Sequence, residues 1–224
     1  MNRYDALKET LEARYSCRAF KPDPVPEARV HQMVDAARQV PSWCNAQPWQ
    51  VEITRGTATQ NFRALMMRTA SDGTPPAPDL PWPKSYSGDY AARRRTCGFQ
   101  LYDAAGIDKS DRAGRQAQML RNYTLFDAPH VAVLHSPDEL GAYGAMDCGG
   151  FVTAFTLAAT ALGIATIPQA AIAAYAPQVR DHFGLANDRL VLCAISFGYA
   201  DTQAPVNQFR TERAAVDDIL RSHG

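Results

Sequence analysis

Apolar and polar positions along this chain repeat with periods that change at well-marked boundaries. Residues 3 to 13 and 26 to 40 carry apolar side chains at helical spacing. In the second run Val30, Met33, Val34, Ala37 and Val40 share one face, Pro26 suits a first helical turn and Pro41 ends the element. In "WQVEIT", Val51 and Ile53 alternate with Glu52 and Thr54, which predicts a strand with one buried face. Helical periodicity resumes over 57 to 70. The next stretch, "SDGTPPAPDLPWPKSYSG", is too rich in Pro and Gly for regular structure and predicts a long loop.

Helices are predicted over 86 to 104 and 110 to 123, a strand at "HVAVLH", and a helix over 147 to 162 that Gly163 ends. "IATIP" and "RLVLCAISFG" read as strands, with a short helix over 177 to 183 between them. The terminal "PVNQFRTERAAVDDILRSHG" predicts a polar extended piece and then an amphipathic helix. Strands and helices in no regular βαβ repeat point to an α+β fold, a sheet covered by helices within one domain, 1–224. No GxGxxG follows a strand and no GxxxxGK[ST] occurs, so a doubly wound nucleotide fold is not expected.

Composition narrows the function classes. Lys plus Arg and Asp plus Glu are 23 each, so no broad basic field exists to draw nucleic acid or an acidic membrane surface, and an anion site must be local. Arg93 to Arg95 form an isolated basic run that reads as a solvated helix face. Five cysteines without a CxxC pair or metal spacing predict reduced thiols, a cytoplasmic location and no metal centre. The amphipathic, charged "MNRYDALKETLEARYS" does not read as a secretory signal. From Cys148 to Val179 no side chain is charged, but Ala, Gly and Thr dominate and Pro168-Gln169 interrupts the run, which predicts a buried core helix and not a membrane span.

Four stretches carry candidate chemistry. In "RYSCRAF", Arg14, Ser16 and Arg18 alternate, so an extended chain projects two guanidiniums and a hydroxyl to one side, as an anion or planar-ligand site or as a solvated linker. In "PSWCNAQPWQ", Ser42, Asn45 and Gln47 follow Pro41 and offer donors and acceptors to a flat heterocycle that Trp43 and Trp49 can wall; an ordinary loop with Trp49 in the core is the plain alternative. Cys44 has no nearby His to activate it as a nucleophile. "NQFRTER" adds Arg210 and Arg213, which suit a phosphate monoester or simply solvent. "IPQAA" places Pro168, Gln169, Ala170 and Ala171 where small residues let backbone approach a ligand.

In this order the stretches resemble the nitroreductase family of flavoenzymes. "RYSCRAF" matches its Arg-x-Ser-x-Arg/Lys-x-Phe start, and Pro41, Ser42, Asn45, Gln47, Pro48 and Trp49 match its Pro-Ser-x-x-Asn-x-Gln-Pro-Trp loop. "FDAPHVAVL", "MDCGGFVTAFTLAATALG", "GYAD" and "NQFRTER" supply the later pieces, so the likeness spans about 14 to 220. The resemblance implies a mixed central sheet flanked by helices and an interlocked homodimer with C-terminal segment exchange, residues 206–224 reaching the partner. It implies FMN as cofactor, with NADPH or NADH as electron donor. Arg14, Ser16 and Arg18 match flavin contacts, Arg14 near the phosphate and Arg18 near the pyrimidine edge. Pro41, Ser42, Trp43 and Asn45 match positions that touch FMN from the other subunit, Pro168 to Ala171 match the segment behind the ring, and Arg213 matches a phosphate ligand. Many members carry Lys near Thr124 and Thr211; Arg121 and Arg210 are the candidates to compensate.

The resemblance further implies that the flavin carries the chemistry, with no catalytic side chain, in a ping-pong transfer to a nitroaromatic, quinone or similar small electron-poor acceptor. The loop 71–90, with Trp82, Tyr86 and Tyr90, and also Trp43, is expected to border the substrate pocket. Enone reduction, reductive dehalogenation or flavin fragmentation on the same fold is the alternative, as is a non-catalytic flavin-binding module. Turnover with a substrate panel, and anaerobic bleaching of the flavin, discriminate these.

Overall fold

The computed structural model describes residues 2–224. Helix α1, Arg3–Ala13, starts at Asn2, whose Oδ1 accepts the Asp5 N–H at 2.9 Å. Helix α2, Glu27–Ala37, follows the expected Pro26 and buries Met33 and Ala37. After strand β1, Gln50–Thr54, come α3, Thr57–Ser71, α4, Gly88–Ala104, and α5, Arg112–Leu120. Strand β2, His130–Pro137, leads to α6, Gly141–Ala161, which ends at Gly163 with φ +73°, a left-handed position that glycine tolerates. Strand β3, Ala165–Gln169, α7, Ala176–Phe183, β4, Arg189–Gly198, and α8, Val216–Ile219, complete the order.

The four strands form one sheet in the order β1-β2-β4-β3, and every strand pairing is antiparallel. The parallel part of the expected mixed sheet is a single bridge from Ser16 to Thr166. Strand β2 lies inside the sheet and is buried on both faces. Val131 and Val133 pack with Phe62, Met66 and Val179 from α3 and α7, whereas Ala132 and Leu134 pack with Met33, Phe151 and Phe155 from α2 and α6. The period-two alternation of a strand thus feeds two cores. Pro168 is tolerated because β3 is an edge strand, where a missing N–H breaks no inner ladder.

His130 and His135, at the two ends of the expected "HVAVLH" strand, are both buried within β2. His130 accepts the Val25 N–H at Nε2 (2.9 Å) and meets the Thr54 carbonyl through Nδ1 (3.0 Å), so it is satisfied as a neutral imidazole. The C-terminal amphipathic helix shrinks to the four residues of α8, with Val216, Ile219 and Leu220 all exposed, because nothing among the described residues covers its apolar side. Helix α6 begins six residues earlier than predicted and buries only one stripe, including Gly144, Cys148, Phe151, Phe155 and Ala159. Its other side exposes Tyr143 (56%) and Met146 (63%) although the helix is apolar all round. Among the described residues no helix is long and apolar enough to cross a membrane.

Candidate functional site

Residues 14 to 20 leave α1 as extended chain and are sewn to two distant segments. Cys17 N–H donates to the Thr166 carbonyl at 3.0 Å, alongside β3. On the other side buried Asn207 accepts the Arg18 N–H at 2.8 Å and donates to the carbonyls of Ala19 and Asp201, each at 2.8 Å. One amide side chain therefore bonds three partly buried backbone groups and fixes the C-terminal segment against "RYSCRAF".

This arrangement makes a cavity of about 610 Å³ lined by Arg14, Ser16, Arg18, Arg210 and Arg213, with Glu12 as its sole carboxylate. Among the described residues none of the four guanidiniums lies within ion-pair distance of a carboxylate. Arg210 stacks 3.9 Å from the Tyr15 ring centroid, and Arg18 lies 5.6 Å from that of Phe209. Burial, and then the like charge of Arg213, lower the Arg14 pKa from its ordinary value; burial lowers that of Arg18. Four cations held together, none of them in an ion pair with the one lining carboxylate, form a site that favours an anion.

Ser16 and Arg18 also line a second cavity, of about 310 Å³, so the two spaces meet at these residues. Its walls include Pro168, Gln169 and Ala170 on one side and Leu101, Tyr102 and Asn122 on another. The Gln169 side chain is turned into the protein: its Oε1 accepts from Ser196 Oγ at 2.5 Å, and its Nε2 donates to the Asn122 carbonyl at 2.8 Å. Only the backbone of Gln169 is left to face a ligand. Pro168 and Ala170 are exposed, and Ala171 is half-buried outside the lining.

The remaining predicted residues lie apart. Pro41, Ser42, Trp43 and Asn45 line neither cavity. Their turn folds against the start of α6, with the Trp43 N–H donating to Asp147 Oδ2 at 3.0 Å and its ring 5.0 Å from that of Tyr143. Ser42 Oγ accepts the Gln47 N–H, while Cys44, Asn45 and Gln47 all take positive φ (51°, 57° and 49°). Left-handed backbone at non-glycine residues is strained, and the turn is exposed despite it. Arg121 lines neither cavity either; its Nη2 pairs with Asp127 at 3.1 Å and touches the Arg18 carbonyl at 3.5 Å. The side chain of Thr124 donates to the Arg121 carbonyl, and that of Thr211 accepts from Arg213. Trp82, Tyr86 and Tyr90 are exposed and outside both cavities.

Residues 11–199 match the family model described as "Nitroreductase family". The chain belongs to the nitroreductase family. Among its relatives is the nitroreductase NfnB of Mycolicibacterium smegmatis, 36% identical over 96% of this chain and 92% of that protein. Another is a 4-nitrobenzoate reductase of Pseudomonas putida, 31% identical over 98% and 96%. Among solved structures, the FMN-dependent nitroreductase NfnB from Mycobacterium smegmatis in complex with NADPH superposes with a TM-score of 0.94, at 33% identity and full coverage of both chains. The FMN and NADPH-dependent NfnB of Sphigopyxis sp. strain HMH gives 0.90 at 32% identity, over 97% of this chain and 99% of that one.

Sequence reasoning about this nitroreductase-family chain overlooked Asn207, although it stands in the quoted "NQFRTER". A single buried amide carries no periodic signal. It also passed over Cys97, which lines the arginine cavity, and Leu101, which lines the second. Their i, i+4 spacing on α4 was legible; what that face would meet was not.

Proposed function

We propose that this chain is an FMN-dependent oxidoreductase that passes reducing equivalents from NAD(P)H to nitroaromatic, quinone or similar electron-poor acceptors. One observation carries the reading: four guanidiniums without carboxylate partners adjoin, at Ser16 and Arg18, a slot walled by the backbone of Pro168 to Ala170. That pairing fits a phosphate monoester joined to a flat heterocycle, and FMN is such a molecule. The NADPH-bound and FMN-dependent relatives support the same choice.

Arg14 and Arg213 would hold the phosphate, with Arg210 beside them. Ser16 and Arg18 stand at the junction, where Arg18 would stabilise negative charge on the pyrimidine edge of the ring. The backbone of Gln169 and Ala170, held rigid by the Ser196–Gln169–Asn122 bonds, would pass behind the ring. Bound FMN would supply two-electron transfer from a nicotinamide to the acceptor. A single open face of the ring serving both nicotinamide and acceptor favours alternating, ping-pong occupancy.

The active form in this reading is a homodimer. The exposed apolar side of α6, the outward 41–49 turn and the uncovered α8 are three features that lack a covering partner among the described residues. Pro41, Ser42, Trp43 and Asn45 would then reach the other subunit's flavin, and 206–224 would embrace the partner. Arg121 would support the site indirectly, through the Arg18 carbonyl. The expected 71–90 loop spans only 72–87, between α3 and α4, and is pinned at Asp79, which pairs with Arg180 at 2.5 Å and accepts the Val191 N–H at 2.7 Å; the part beyond, with Trp82 and Tyr86, and Tyr90 in the first turn of α4, would cap the acceptor. Reduced cysteines favour a cytoplasmic setting.

The test is spectroscopic. Purified protein should be yellow, release FMN on denaturation, and bleach anaerobically with NADPH or NADH. Initial rates against a nitroaromatic should give parallel double-reciprocal lines. A protein that stays colourless with added FMN overturns the reading.

A further inference from the structure

The isolated run Arg93 to Arg95 does not behave as one solvated face. Arg93 turns to Asp89, Nη2 to Oδ2 3.9 Å. Arg94 and Arg95 instead line, with Lys84, Ser85 and Tyr86 of the preceding loop, a cavity of about 560 Å³ that contains no carboxylate. Among the described residues none of Lys84, Arg94 and Arg95 makes an ion pair. The Arg94 guanidinium lies 5.3 Å from the Tyr86 ring centroid, a contact that orients its fork of donors.

Helix α4 connects this cavity to the slot. Arg94 and Arg95 precede Leu101 and Tyr102 by seven residues each, so the pairs share one side of the helix, two turns or about 10 Å apart. Leu101 and Tyr102 are walls of the slot beside Ser16 and Arg18. An extended dinucleotide can reach from one to the other.

We propose that Lys84, Arg94 and Arg95 bind the 2′-phosphate of NADPH while its nicotinamide end lies against the open face of the flavin ring seated in the slot, so that the enzyme selects NADPH over NADH. The site rests on the nicotinamide-driven reading above and adds the donor's identity to it. The discrimination is one of charge: a phosphate monoester offers a dianion to three unpaired cations, where NADH offers a neutral hydroxyl.

Donor kinetics of the flavin-loaded enzyme test this. The kcat/KM ratio of NADPH to NADH should approach about a thousandfold, and Arg94→Gln and Arg95→Gln should each lower it by about tenfold through KM for NADPH, the scale of one charge-assisted hydrogen bond. Adding Lys84→Gln to both should bring it near unity, while Arg93→Gln should leave it at the wild-type value. Adenosine 2′,5′-bisphosphate should compete with NADPH better than AMP or inorganic phosphate, and should lose that advantage in Arg95→Gln. A wild type without NADPH preference, a ratio indifferent to these substitutions, or phosphate competing as well as the bisphosphate would overturn the site. Flavin content and bleaching by excess NADH are read on the same samples. A yellow, bleachable enzyme with a flat ratio sinks this site alone, whereas a protein that neither holds flavin nor bleaches sinks the underlying reading as well.

Discussion

Around Ser16 and Arg18, residues 14–18 and 207–213 and the backbone of 168–170 converge within one chain, and buried Asn207 locks two of these segments together. Around Trp43 the chain turns outward: three residues of the 41–49 turn take strained positive φ, Trp43 is 61% exposed, and it rests on the apolar, uncovered side of α6. Both regions come from equally distinctive sequence stretches. The first is finished by long-range contacts of its own chain, whereas the second keeps its strain and its exposed apolar surface until something covers it. Strain at a non-glycine residue persists only where surroundings determine it, and here those surroundings are incomplete.

The strongest way to break the contrast is to charge the α6 surface. Met146→Glu should be nearly silent for an isolated chain, because the side chain is exposed. At a covered face it leaves an unpaired buried charge, costing about 3–5 kcal/mol. Sedimentation should then show monomers, with flavin lost alongside; a dimer that keeps its flavin would detach this face from assembly. Next in size, Arg14→Ala and Arg213→Ala should each weaken FMN binding by about 1.5–3 kcal/mol, the scale of a hydrogen bond to a charged group. Fluorescence titration of the apoprotein measures this, and full retention by both variants would remove the phosphate from the arginine cavity.

Asn207→Ala strands the Arg18 N–H and removes one of the donors to the carbonyls of Ala19 and Asp201, which keep the N–H groups of Asp201 (3.0 Å) and Ala204 (3.3 Å). It should lower stability by about 1–3 kcal/mol and loosen FMN binding, since both follow from the same clamp. An unchanged urea midpoint would show the clamp to be dispensable. Acid separates the regions in another way. Burial lowers the pKa of His135, which is held between Glu52 (3.3 Å) and the Nε of Arg189 (2.9 Å), and burial also lowers that of His130. The unfolded chain therefore binds the extra protons first. The stabilisation is complete above the unfolded value of 6.5 and is lost as pH falls from there through the folded values. Unfolding at pH 7.5 and pH 5 should differ in that direction, and His135→Gln should flatten the difference; the guanidiniums keep their charge throughout. The smallest effect belongs to Cys44→Ser, expected to change flavin content and turnover by less than about 0.5 kcal/mol, as for an exposed side chain. Lost activity would restore this thiol to the chemistry.

Much of this molecule was legible before its fold. Helices α1 to α4 and all four strands lie close to their predicted places because period, proline and glycine act locally. The arginines of "RYSCRAF" and "NQFRTER" were legible as candidate anion ligands by residue type and spacing alone. Long-range placement decided the rest. The β2 histidines became core because their strand is central to the sheet. Gln169 turned inward because Ser196 and Asn122 meet its amide, and Arg94 parted from Arg93 because the 83–86 loop folds back over α4. Local pattern determines which element forms and which side is apolar. Only the packed chain decides what that side meets, because a contact between residues 18 and 207 depends on every element between them, and no short stretch of sequence encodes it.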